Sequence, residues 1–209
     1  MTTKFRAPEF ILLSISVISA GIAVTLASVG VGSANWQTTT TTDVNGRIYT
    51  SNIANFFYAC RLNQAGNTQC GQRSSDDNNI QYYTINATGN TDIWNFHLSF
   101  ASALTIIGIV FIFIGGVASL LMILGDRMPW MFFVAPMFLF LACLFMLAGL
   151  AEGSRVLKFN DYAAYLYETG HVITIFSCMT SAFLGGRLFD PPVESKSSKK
   201  LKKPKASYR

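Results

Sequence analysis

Charge is scarce in this chain. Only 13% of its 209 residues are charged, histidine occurs twice and cysteine four times. A soluble domain carries roughly twice that share of charge, so the composition argues against a free-standing globular protein. His97 and His171 are too few to complete a zinc centre, which takes about four ligands. There is no Gly-rich phosphate loop, and no spacing sets a nucleophile beside a base. Catalytic residues, metals and cofactors are therefore expected to be absent. The long apolar runs are poorer still in charge: the cores of the first three hold no ionisable side chain and the fourth holds only His171. A transporter or self-contained channel keeps such groups at membrane depth. Function is expected instead in polar loops, in the sideways faces of helices or in the tail.

What the chain has is apolar sequence in blocks. Hydrophobic residues make up 51% of the total. Four runs are long enough to cross about 30 Å of hydrocarbon: residues 10–31, 94–124, 131–150 and 170–189. The first is longer than the 7–15 apolar residues of a signal peptide, so an uncleaved span is expected there. Small residues at four-residue spacing, Ser19, Ala23 and Ala27 in the first run and Cys178, Ala182 and Gly186 in the fourth, predict close helix contacts. Gly108, Gly115, Gly116 and Ser119 do the same in the second. Cys143 and Cys178 lie mid-run and read as inert core residues.

Basic residues orient the runs. Lys4, Arg6, Arg127, Arg187 and seven residues of the tail fall on one side, whereas Arg47, Arg61, Arg73, Arg155 and Lys158 fall on the other. The positive-inside rule places both termini in the cytoplasm and segments 32–93 and 151–169 outside. The tail, residues 190–209, carries Lys196, Lys199, Lys200, Lys202, Lys203 and Lys205. Such a cluster beside a span fits anionic lipid better than nucleic acid, for which no base-presenting fold is visible. Phosphorylation of Ser195, Ser197 or Ser198 among these lysines is expected to loosen it.

The long polar segment holds the two cysteines outside the apolar runs, Cys60 and Cys70. In an oxidising compartment, across a Gln-Ala-Gly-Asn turn, they predict a bridged β-hairpin. Such a closure is worth roughly 2.5–3 kcal/mol. Strand-forming stretches Thr38–Thr42, Ile48–Thr50 and Phe56–Tyr58 flank a turn at Val44-Asn45-Gly46-Arg47. Asn86-Ala87-Thr88 is a glycosylation sequon. Trp94 reads as an interface anchor. The second outer segment is aromatic, with Phe159, Tyr162, Tyr165 and Tyr167; Phe159, Tyr162 and Tyr165 form a candidate partner-contact patch, and the segment reads equally as an interfacial belt. Glu168 reads as a structural acceptor for the first segment. The expected fold is thus a mainly α membrane protein, a four-helix transmembrane bundle carrying a small disulfide-closed extracellular antiparallel β-sheet.

The spacing Trp36, Phe57, Cys60, Cys70, with Tyr167-Glu168-Thr169-Gly170 at the opening of the fourth run, resembles the claudin signature W…GLW-x2-C-x9-C and Y-E-x-G. More broadly the chain resembles the superfamily of claudins, peripheral-myelin and epithelial membrane proteins and stargazin-like channel subunits. The resemblance spans the chain in topology and these few positions in identity. Asn55-Phe56-Phe57 stands where claudins have Gly-Leu-Trp, and the terminal Ser207-Tyr208-Arg209 lacks the hydrophobic end that PDZ grooves accept. The resemblance implies a plasma-membrane protein at cell–cell contacts. Its outer loops would bind further copies or related claudin-like proteins, laterally and across cells, in a junction or paracellular barrier. The same superfamily offers an auxiliary subunit packed on an ion channel or receptor. Trp36 and Phe57 are expected to pack where the sheet meets the bilayer surface.

Overall fold

The computed structural model describes residues 7–62, 67–72, 91–124, 131–155 and 157–189. Among them are four helices and four strands: α1 (Ala7–Gly32), β1 (Gln37–Thr42), β2 (Ile48–Ala54), β3 (Tyr58–Leu62), β4 (Thr68–Gln72), α2 (Thr91–Leu124), α3 (Met131–Ser154) and α4 (Tyr162–Phe189). The helices α1, α2 and α3 are each long and apolar enough to cross a membrane, as a multi-pass membrane protein requires. Large apolar side chains such as Ile18, Phe113, Phe140 and Met179 point outward from the bundle. In lipid that is the favourable arrangement, because polar backbone is satisfied within each helix.

Small residues let the helices approach. On α1 the buried face is Ser16, Ser19, Ala20, Ala23, Ala27 and Gly30, which includes the three positions expected from spacing. Its partner is α4, running antiparallel. At one end Gly30 meets Ala163 and Tyr167, where an added Cβ would lie 2.9 Å from backbone atoms of both. In the middle, Ser16 and Ser177 exchange bonds: the Ser177 hydroxyl donates to the Ser16 carbonyl (2.9 Å) and the Ser16 hydroxyl to the Ser177 carbonyl (3.2 Å). At the other end Leu13 and Leu184 share a buried cluster with Phe132. The α2–α3 pair is built the same way, with Gly108 against Met146 and Gly115 against Leu139.

The packing face of α4 differs from the expected one. Cys178 is half-buried against the core, but Ala182 and Gly186 are exposed, and the buried positions include Ala163, Tyr167, Thr174, Ser177, Ser181 and Leu184. The face is set by the register with α1 rather than by residue size alone. α4 also begins at Tyr162, eight residues before the expected start of the fourth run, and α3 continues to Ser154. The stretch read as an outer loop over 151–169 is therefore mostly helix.

Pro136 sits inside α3. It has no N–H to give the Phe132 carbonyl, and Gly185 of α4 packs over that oxygen: an added Cβ would lie 2.7 Å from it. The lack of a side chain at Gly185 thus lets α4 lie close against the acceptor that proline leaves open.

The sheet is antiparallel in the order β1-β2-β3-β4. Its β1–β2 turn is held by Asp43, whose carboxylate accepts from Asn45 (2.7 Å) and Arg47 (3.0 Å) backbone N–H. Gly46 supplies the left-handed residue at φ 78°, which glycine adopts without steric cost. Local propensity predicts Phe56 and Phe57 in a strand. They form the turn between β2 and β3 instead, because Asn55 just before them folds the backbone onto its own side chain.

Candidate functional site

The sheet and the short α3–α4 connection lie at one end of the bundle, and side chains from the sheet cap the last carbonyls of α1. A helix leaves its final carbonyls without intrahelical partners. Here the Trp36 indole N–H donates to Gly30 O (2.6 Å), the Tyr58 hydroxyl to Gly32 O (3.3 Å) and the Asn55 amide to Ser33 O (3.2 Å). Asn55 is fully buried. Its carbonyl oxygen accepts from both Phe57 and Tyr58 backbone N–H at 2.8 Å, so one side chain makes the turn and ties it to the helix.

Around this seat is an aromatic cluster. Trp36 is fully buried, with ring centroids 4.4 Å from Phe56, 5.3 Å from Phe159 and 5.4 Å from Tyr167. Such tilted and edge-on pairs add to the gain from apolar burial. Trp36 thus sits at the junction of sheet and helices. The residue beside it is Phe56, whereas Phe57 is half-buried at the rim. Strand alternation could not separate the two, since both lie in a turn. Tyr167 is buried with an unpartnered hydroxyl among the described residues. Gly170 lies against Ala23 and Ala27 of α1, where an added Cβ would fall 3.1 Å from backbone. Tyr167-Glu168-Thr169-Gly170 thus belongs to the α1–α4 contact, within the helix rather than at its start.

The α3–α4 connection clasps the other side of the sheet. Asn160 accepts from the Thr38 N–H and donates to the Thr38 carbonyl, both at 2.9 Å, and its own N–H donates to Trp36 O. The Thr38 hydroxyl donates to the Asp161 carboxylate, which also accepts from the Tyr162 N–H at 2.7 Å. The Lys158 N–H reaches the side-chain oxygen of Gln37. Asn160 and Asp161 hold the first segment, the role expected of Glu168, for which no bond to the sheet is present among the described residues. An Asn-Asp pair just ahead of an apolar-periodic run is a helix-start signal, so these residues could have been found.

Cys60 and Cys70 are bridged, and they are direct partners across β3 and β4. Phe159, expected on a contact patch, is half-buried in the aromatic cluster. Tyr162 and Tyr165 are exposed on α4 at 53% and 55%, open to a neighbour. His97 and His171 bind different levels of α3: His97 pairs with Glu152, which also takes Arg155 at 3.4 Å, while His171 bonds Cys143 O at 3.2 Å. Among the described residues no group of three or more His, Cys, Asp and Glu could hold a metal. Asn86, Arg73, the 125–130 turn and the tail with Lys196, Lys199, Lys200, Lys202, Lys203 and Lys205 lie outside the described residues, as does the side chain of Trp94.

No family model matches the chain, and no curated protein matches its sequence.

Proposed function

We propose that this chain is a claudin-like four-span protein of the plasma membrane, acting at cell–cell contacts through the sheet and the α3–α4 connection. The observation that carries the reading is the disulfide-closed sheet seated on helix ends by Trp36, with Cys60 and Cys70 bridged in it, Tyr167 against Trp36, and Gly170 next along α4 in the contact with α1. These are among the positions on which the family resemblance rests, with Phe57 at the rim and Glu168 without a bond to the sheet among the described residues. α4 keeps contact with α1 from Gly30 down to Leu13, about 25 Å at 1.5 Å per residue. This shared length supports α4 as a fourth crossing beside α1. Four crossings put both termini on one side, and the basic tail places that side in the cytoplasm. The sheet is then extracellular, Asn86 is open to glycosylation, and the tail lysines lie on anionic lipid.

In this reading the outer assembly binds further copies laterally and across cells and seals or lines a paracellular path. Arg47, Arg61, Arg73, Asp43, Asp76 and Asp77 are its candidate charges, of mixed sign, so no ion preference follows. The test is expression in cells that lack junctions, viewed by freeze-fracture. Continuous intramembrane strands at contacts are expected. Co-purification with one channel or receptor, without strands, would replace this reading with that of an auxiliary subunit.

A further inference from the structure

We propose that the free edge of β1 is a self-association surface that pairs antiparallel with β1 of a second copy. β1 ends the sheet, and in an antiparallel ladder alternate residues point their N–H and C=O away from the neighbour. Asp43 N–H donates to Arg47 O, so Asp43 faces β2; Thr42, Thr40 and Thr38 face away. At Thr38 the outward groups are taken by the Asn160 amide, which donates and accepts as a strand's peptide would. That substitution stops after one residue. The outward groups of Thr40 and Thr42 have no partner among the described residues, and Thr39 to Thr42 are exposed.

Edges of this kind are ordinarily blunted by lysine, proline or a bulge. β1 has neither lysine nor proline. The register shift between Thr39 and Thr40 places the extra residue, Ser51, on β2, and Ser51 turns its hydroxyl back to Thr39 O. The edge itself stays unbroken.

The occupant is a second copy because the strand is self-complementary. Thr38 to Thr42 reads the same in both directions. A twofold beside Thr41 sets Thr40 against Thr42 of the second copy and Thr42 against its Thr40, each pair exchanging both backbone bonds. Thr41 then meets Thr41 at the closely spaced, non-hydrogen-bonded position. Cross-strand threonine pairs are favourable. The strand is uncharged, the turn beside it carries Asp43 and Arg47 and the α3–α4 connection beside its start carries Asp161 and Lys158, so the surroundings of the edge are of mixed sign. The contact is small, and the pairing is accordingly weak, growing with the crowding of copies in a membrane.

The proposal rests on reading this assembly as the self-associating surface, and the test separates the two. Thr41→Cys and Thr39→Cys variants of the full chain are purified in detergent, oxidised mildly at rising protein-to-detergent ratio and run on non-reducing gels beside the unsubstituted chain. Thr41→Cys is expected to give a linked dimer several-fold above Thr39→Cys, whose two sulfur positions would lie about 13 Å apart along the strands. Adding Thr40→Pro, tolerated on an edge, or Thr40→Lys, which guards one, should abolish the dimer while Cys60–Cys70 stays closed. Equal linking of both variants, or a monomeric Thr41→Cys, would overturn the edge pairing. Junction strands formed by a Thr41→Cys chain that does not link would also overturn it and leave the junction reading in place. A linked dimer without strands would uphold the pairing and count against that reading.

Discussion

The indole N–H of Trp36 donates to the carbonyl of Gly30 at 2.6 Å, six residues back along the chain. The same Gly30 admits α4 on its other side, where Ala163 and Tyr167 leave no room for a Cβ. One residue pair therefore ends α1, seats the sheet and positions α4.

Trp36→Phe keeps most of the ring and removes the donor. It should cost about 0.5–1.5 kcal/mol, the net worth of one hydrogen bond, since Gly30 O keeps its bond from the Ser33 N–H. Trp36→Ala should cost about 3–5 kcal/mol as a cavity opens among Phe56, Phe159 and Tyr167. Thermal unfolding in detergent should rank the parent, Trp36→Phe and Trp36→Ala in that order. Equal midpoints for the two variants would remove the bond from the account.

Asn55→Ala deletes the acceptor of two backbone N–H groups and the donor to Ser33. A loss of about 1–3 kcal/mol is expected, concentrated in the sheet. Limited proteolysis should cut the 32–72 segment sooner while the helices stay protected. Proteolysis at the parent's rate would mean that the turn holds without its side chain.

Cys60→Ser and Cys70→Ser should each lower stability by roughly 2.5–3 kcal/mol. The double variant should lose no more than either single one, since both remove the same bond. Reductant should bring the parent to the same unfolding midpoint.

Gly30→Ala and Gly170→Ala each place a methyl group against backbone of the facing helix, which cannot yield as a side-chain tip can. Gly21, on the same helix as Gly30, has nothing within 4 Å of an added Cβ. Gly21→Ala should therefore be neutral or stabilising by up to about 1 kcal/mol, and the other two clearly destabilising. Similar unfolding midpoints for all three would refute the close approach of α1 and α4.

The tail should bind acidic vesicles in proportion to its lysines, at about 1 kcal/mol per basic residue near the surface. Peptides of residues 190–209 with Ser195, Ser197 and Ser198 changed to Asp should bind more weakly. Equal partition of both peptides would end the idea of a phosphorylation switch.

Several features are legible in the sequence alone. Unbroken runs of about twenty apolar residues announce helices because a spanning strand needs only about half that length and a helix satisfies its own backbone in lipid. Two cysteines flanking a turn announce their bridge, and Asp43 to Arg47 announces a hairpin turn through its Asn-Gly. The small face of α1 is visible as Ser19, Ala23 and Ala27, because four-residue spacing stacks them along one side.

Other features depend on distance in space. Phe56 rather than Phe57 reaches Trp36 because Asn55 bends the turn, and no periodicity distinguishes two neighbours in a turn. Ala182 and Gly186 have the spacing of a packing face yet point outward, since the register against α1 selects Ser177, Ser181 and Leu184. Asn160 becomes a partner for Thr38, more than a hundred residues earlier, only after α3 and α4 bring it there. Composition and local pattern determined the apolar cores of the helices, the bridged hairpin and the Asp43–Arg47 turn. Tertiary packing decided which side chain faces which, because that choice is made by the small differences in approach between surfaces the chain places together only when folded.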